Sequence, residues 1–171
     1  MDPARYNKVL SEASISNVML KNLMASCFSE SVEWTFAGTP EVNTQVRSEA
    51  KGDSFHLFQQ FIAQYHSASD PEKAILFVSA EFSVVVRPRN VDEAEVLAEF
   101  IDEFQIRQLT LLTRPYFREL CASITSRAQI MAPTLPTHII PPLVIEVEDS
   151  TDEVDLHIQD SSGPADGAPH S

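Results

Sequence analysis

Cysteine is nearly absent from these 171 residues. Only Cys27 and Cys121 occur, far apart and outside any metal-type spacing. That excludes a disulfide framework or thiolate zinc site and leaves two reduced core thiols as the expectation. Histidine is equally thin, and His56, His66, His138, His157 and His170 are too dispersed to read as ligands, so neither metal nor cofactor is expected. Basic charge is short as well. The net charge is −13, and no clustered Lys/Arg stripe exists for a phosphate backbone, which argues against nucleic acid. Long apolar runs are missing: the stretches Ala74 to Val78 and Phe82 to Val86 are separated by Ser79 and Glu81, so no membrane span is expected. The opening Met1-Asp2-Pro3-Ala4-Arg5 lacks the basic-then-apolar order of a secretory signal, and an intracellular location, cytoplasmic or nuclear, follows as the expectation.

What is present divides near Ala132. From Pro141 to Ser171 there is no Lys or Arg, and this stretch holds 8 of the 25 acidic residues, leaving 17 acids against 12 bases in the rest. Such a segment cannot bury enough apolar surface to offset its ordering entropy. The expected organisation is a single α+β domain over 1–131 and a Pro-punctuated, flexible acidic tail over 132–171.

Along the first region, Tyr6, Val9, Leu10 and Ala13, then Ile15, Met19, Leu23 and Cys27, recur at helical spacing and predict N-terminal helices. Val32, Trp34 and Phe36 alternate with Glu33 and Thr35 up to Gly38, a half-buried strand. Gly52-Asp53 precedes Phe55, Phe58, Phe61, Ile62 and Tyr65 at spacings of three and four, predicting a helix capped by Asp53. Lys73 to Arg87 is the clearest strand, with Ala74, Leu76, Val78, Ala80, Phe82, Val84 and Val86 on one apolar face. Residues 91–113 read as a short helix or extended entry followed by a strand from about Phe104. A helix is expected after Pro115 on the spacing of Phe117, Leu120, Cys121, Ile124 and Ala128.

This order resembles the cone-shaped α+β superfamily of nuclear transport factor 2, ketosteroid isomerase and SnoaL-type polyketide cyclases. The residues carrying the resemblance are Val32 to Gly38, Gly52-Asp53 leading into Phe58 and Phe61, and Phe104-Gln105-Ile106 followed by Leu109 to Thr113. It implies a curved mixed sheet packed by N-terminal helices around an apolar pocket. It also implies a small-molecule-binding domain acting as a cofactor-free isomerase, dehydratase or cyclase, with a homodimer formed through a sheet edge.

Such chemistry needs a buried base with a raised pKa. The candidates are Glu81, Asp53 and His56, with Glu99 and Asp102 behind them, and Trp34, Phe36, Phe58 and Phe61 as the expected lining of an apolar small-molecule pocket. Each has a plainer reading: Asp53 as a helix cap, His56 and Glu81 as solvated groups, Glu99 and Asp102 as the wet face of a helix, the aromatics as core. Whether the chain is an enzyme stays open at this point.

The other functional class is a non-catalytic interaction module. Val144, Ile145 and Val147, with Glu148 and Asp149 beside them, resemble a motif that binds the small ubiquitin-like modifier by adding a strand to a sheet edge. Short hydrophobic-acidic patterns also arise by chance, and the plainer reading of this block is an edge strand of the protein's own domain.

Overall fold

The structure, a computed structural model, describes residues 1–28, 35–91, 93–128, 130–135 and 143–144. One antiparallel sheet dominates. Its strands are β1 (Ser14–Ile15), β2 (Met19–Cys27), β3 (Glu41–Lys51), β4 (Ser54–His66), β5 (Ala74–Arg87) and β6 (Leu143–Val144). The path is β1-β5-β4-β3-β6, with β2 also on β5, so β1 and β2 share one side of β5 and form one long edge. All pairings are antiparallel except β3 with β6, which is parallel. The α+β class is as expected.

The helices are α1 (Pro3–Glu12), α2 (Ala94–Phe104) and α3 (Thr110–Arg127), and a π-helical turn over Gln105–Leu109 joins the last two into one rod. The start of α1 follows from local chemistry: the Asp2 side chain accepts from the Arg5 amide at 3.2 Å, and Pro3 opens the first turn. Pro115 falls inside α3 and has no N–H to offer the carbonyl of Leu111.

All three helices cover the same face of the sheet. Tyr6, Val9, Phe100, Ile101, Phe104 and Leu109 close over Val46, Leu57, Val84 and Val86. Next to them, Phe117 and Cys121 meet Val42, Phe61, Ala63, Tyr65, Leu76, Val78, Ala80 and Phe82. Phe61 stacks on Phe117, with ring centroids 4.9 Å apart and planes 13° apart. Within this core Gln59 is fully buried, and its amide is satisfied: Nε2 donates to Thr110 Oγ1 at 2.8 Å, and Oε1 accepts from Thr113 Oγ1 at 2.6 Å. Gln59 therefore pins β4 to the rod just beyond its π turn, where an unmet partner would cost about 1–3 kcal/mol.

The opposite face carries no helix among the described residues. There Gln45, Gln60, Gln64 and Ser79 mix with Phe58, Ile62 and Phe77, as in an antiparallel sheet with one solvated side.

Three of the sequence expectations need correction. The helix expected over 15–28 is strand: β1 and β2 pair with β5, so the spacing of Met19, Leu23 and Cys27 does not come from a helical stripe. The helix opened by Gly52-Asp53 is strand β4. Gly52, at φ 62°, and Asp53 form the tight turn of a β3–β4 hairpin, a conformation that glycine adopts without strain. The strand expected from Phe104 is helix. By contrast, the strand read over Lys73 to Arg87 is there as β5.

Candidate functional site

Exposed large apolar side chains gather on one strand. Met19, Leu20, Leu23 and Met24 of β2 are 43–52% exposed, and Ile15 before them and Phe28 after them are exposed too. Their cause is the topology. β2 hydrogen-bonds only to β5, so its outer edge meets no described strand. The helix rod does not reach it either: Leu20 and Leu23 lie opposite Phe82 and Ala80, on the helix side, yet remain open. Met19 and Met24 lie opposite Ser83 and Ser79 on the other side. A strand that is apolar on both faces and unpaired along one edge is a template for another extended chain. Lys21 is its only charged residue. Methionines suit such a surface because their flexible thioethers adapt to varied partners.

A second feature is a cleft of about 430 Å³ between α3 and the segment 130–135. Tyr65, Cys121, Ile130 and Leu135 line it with Arg118 and Thr125, and the Ile130 amide donates to the Thr125 carbonyl at 2.8 Å. Burial pushes the Cys121 thiol up to about 12, only partly opposed by its hydrogen bond with Tyr65. The Tyr65 hydroxyl is also raised, mainly by burial. Neither group is poised to ionise near neutrality.

The residues singled out in the sequence do not converge. Glu81 lies on the helix-free face, where Arg47 Nη2 donates to it at 3.0 Å. Arg47 also pairs with Glu49 and sits 3.7 Å above the Phe58 ring. Slight burial raises the Glu49 pKa, but the hydrogen bonds from Arg47 and Lys51 outweigh it and hold the carboxyl below its usual value. His56 is on the same face, but the register puts Glu81 opposite Gln60, which is four residues, about 13 Å, further along β4. Asp53 is exposed at the hairpin tip, and Asp102 and Glu99 are exposed on α2.

The aromatic group is divided too. Phe61 is in the helix-side core, Phe58 lies under Arg47 on the other face, and Phe36 meets Tyr65 edge-on at 5.8 Å. Trp34 lies outside the described residues. So do Ile145, Val147, Glu148 and Asp149, while Val144 is described as part of β6. Among the described residues no three His, Cys, Asp or Glu side chains form a metal-type cluster, and no helix is long and apolar enough to cross a membrane. Sequence reasoning missed the exposed edge of β2. The signal was there, in a run of Met, Leu and Ala with a single charge that does not alternate.

The class defined by this architecture is a helix-backed antiparallel sheet with an open apolar edge. No family model matches the sequence, and no curated protein matches it significantly. Among solved structures, a SecB-like chaperone of Mycobacterium tuberculosis, in complex with a ChAD peptide from the HigA1 antitoxin, shares the fold. The TM-score is 0.62 over 81% of this chain and 99% of that one, at 14% identity. This overturns the resemblance to the nuclear transport factor 2 and SnoaL superfamily, and with it the isomerase, dehydratase or cyclase reading. The physical reason lies in β4 and β5. Their apolar sides close against helix packing along nearly their whole length, and only Tyr65 of β4 reaches the cleft beside α3.

Proposed function

We propose that the protein is a non-catalytic binding module that takes extended apolar segments of other polypeptides, as a chaperone does. The observation that carries this reading is the open edge of β2 with its exposed Met19, Leu20, Leu23 and Met24. Main-chain hydrogen bonds along such an edge give affinity without sequence preference, and apolar side chains on both faces add burial. Each fully buried Leu or Met would contribute about 1.5–3 kcal/mol before the cost of ordering the partner. The shared fold supports the reading, since the mycobacterial chaperone holds a peptide. Neither an apolar small molecule nor a ubiquitin-like modifier gains support from that likeness.

The test is suppression of aggregation of a chemically unfolded model protein, run with the full chain and with a Leu20→Lys/Leu23→Lys variant. Suppression by the parent and its loss in the variant, with unchanged circular dichroism, is the expected result. Equal performance by the two would sink the reading.

A second occupant is favoured by one observation: the helix-side positions Leu20 and Leu23 are open as well. A second copy aligned antiparallel along β2 would continue the sheet and set further apolar side chains beside these on each face, giving a homodimer through this edge. Sedimentation equilibrium of the parent and the Leu20→Lys/Leu23→Lys variant separates the two occupants. A dimer that the variant abolishes assigns the edge to self-pairing.

A further inference from the structure

The other long edge of the sheet, β3, is already occupied in part by the chain itself. Leu143 and Val144 run parallel to β3, in register with Gln45 and Val46. This short ladder uses two residues of an eleven-residue strand, and no other described strand lies along that side. The sequence explains why pairing starts at Leu143. Pro141 and Pro142 have no N–H to give to a ladder, and Leu143, Val144, Ile145 and Val147 combine apolar character with a preference for extended backbone.

The residues on both sides of this contact are suited to a weak, replaceable pairing. β3 carries Arg47 and Lys51 along its length, and the sequence after Val144 supplies Glu146, Glu148 and Asp149 with no Lys or Arg in the tail to compete. Arg47 is already engaged by Glu49 and Glu81, and Lys51 by Glu49 at 3.4 Å. Added acids would therefore share cations that are already in use. Affinity in such an arrangement comes mainly from backbone pairing, which any extended segment could supply.

We infer that the β3 edge is a strand-accepting surface whose resident occupant is this chain's own Leu143–Val144, held there as an internal competitor of partner strands. The inference rests on the proposed peptide-binding role for the identity of those partners, but the pairing itself does not. A parallel, β-branched segment of another polypeptide would take the same backbone positions and displace the chain's own. The tail then sets a threshold: an incoming strand must exceed the effective concentration of a tethered one.

The experiment uses the full chain and two full-length variants. Leu143→Pro/Val144→Pro removes two neighbouring N–H groups, one of which faces β3, and blocks the ladder, whereas Val144→Thr keeps a β-branched residue and the pairing. The probe is a synthetic peptide of this chain's residues 141–153, added in trans. Neighbouring amides of a strand point to opposite sides, so one of Gln45 and Val46 faces β6 and the other faces β4. Exchange at the amide facing β6 is expected to quicken at least tenfold in the proline variant and to stay near the parent rate in the threonine variant. The peptide is expected to bind the proline variant at least tenfold more tightly than the parent. Exchange at the amide facing β6 that is identical in all three proteins overturns the inference, and so does failure of the peptide to bind the proline variant. No foreign client enters this measurement, so its result is independent of the aggregation test on β2.

Discussion

The two long edges of the sheet face opposite design problems. β2 is apolar on both faces, carries one charge and pairs with nothing outward among the described residues. β3 alternates buried Val42, Thr44 and Val46 with outward Glu41, Asn43, Gln45 and Arg47, and is partly covered by β6. Charges and a cover strand are the usual ways a protein blunts an edge against unwanted pairing. β3 has both, whereas β2 has a single Lys21 and no cover. An edge left undefended beside one so clearly defended points to a partner for β2.

Several perturbations would break or sharpen this contrast. Phe61→Ala removes the ring stacked on Phe117 and edge-on to Phe82 in the core beneath both edges. It should cost about 3–5 kcal/mol in denaturant titration and weaken both edges together. Loss at only one edge would mean that the two fold independently. Next in size, Leu20→Lys/Leu23→Lys should reduce binding of an unfolded client segment at the β2 edge at least tenfold, or ~1.4 kcal/mol, whereas Glu41→Lys/Asn43→Lys on β3 should leave binding at that edge unchanged. Matching losses would erase the distinction.

A third prediction concerns the interior. The Cys121 thiol is raised by burial from its usual 9.0 to about 12, so the folded chain keeps its proton where the unfolded chain has lost it. Stability from this group is complete below about pH 9 and falls as pH rises towards 12, by at most about 1.4 kcal/mol per pH unit. Unfolding midpoints across that range check the slope. Thiol labelling at pH 8 should modify exposed Cys27 on β2 and spare Cys121 until unfolding. If Cys27 becomes protected as protein concentration rises, a second copy covers the edge. The smallest effect belongs to Arg47→Ala: its ion pairs with Glu49 and Glu81 are partly exposed, and its loss should cost less than about 1 kcal/mol by thermal melting.

How much of this was legible in the sequence depended on how each strand is buried. β5 was readable because its helix side is uniformly apolar while Ser79, Glu81 and Ser83 break the other side. β4 was misread because both of its faces hold aromatics: Phe61 and Tyr65 point to the core, and Phe58 lies under Arg47. A strand apolar on both sides yields spacings of three and four that mimic a helical stripe. β2 failed for the opposite reason, since a strand exposed on both sides has no reason to alternate. The stretch from Phe104 to Thr113 was misread because the wide turn places Leu109 five residues after Phe104, out of phase with an ordinary helix. The candidate site was the least legible part, because an edge is a relation between strands and no single residue marks it.

That wide turn has a consequence of its own. It takes up one surplus residue within a single turn, so Leu109 follows Phe104 onto the sheet side and Phe117 and Cys121 continue over the core. Winding the same residues at the ordinary pitch would rotate everything after them by about 100° and carry Phe117 and Cys121 away from Phe61. Deleting one residue between Gln105 and Leu109 is the gentler change: it leaves a plain α-helix whose later turns keep their seats over the sheet.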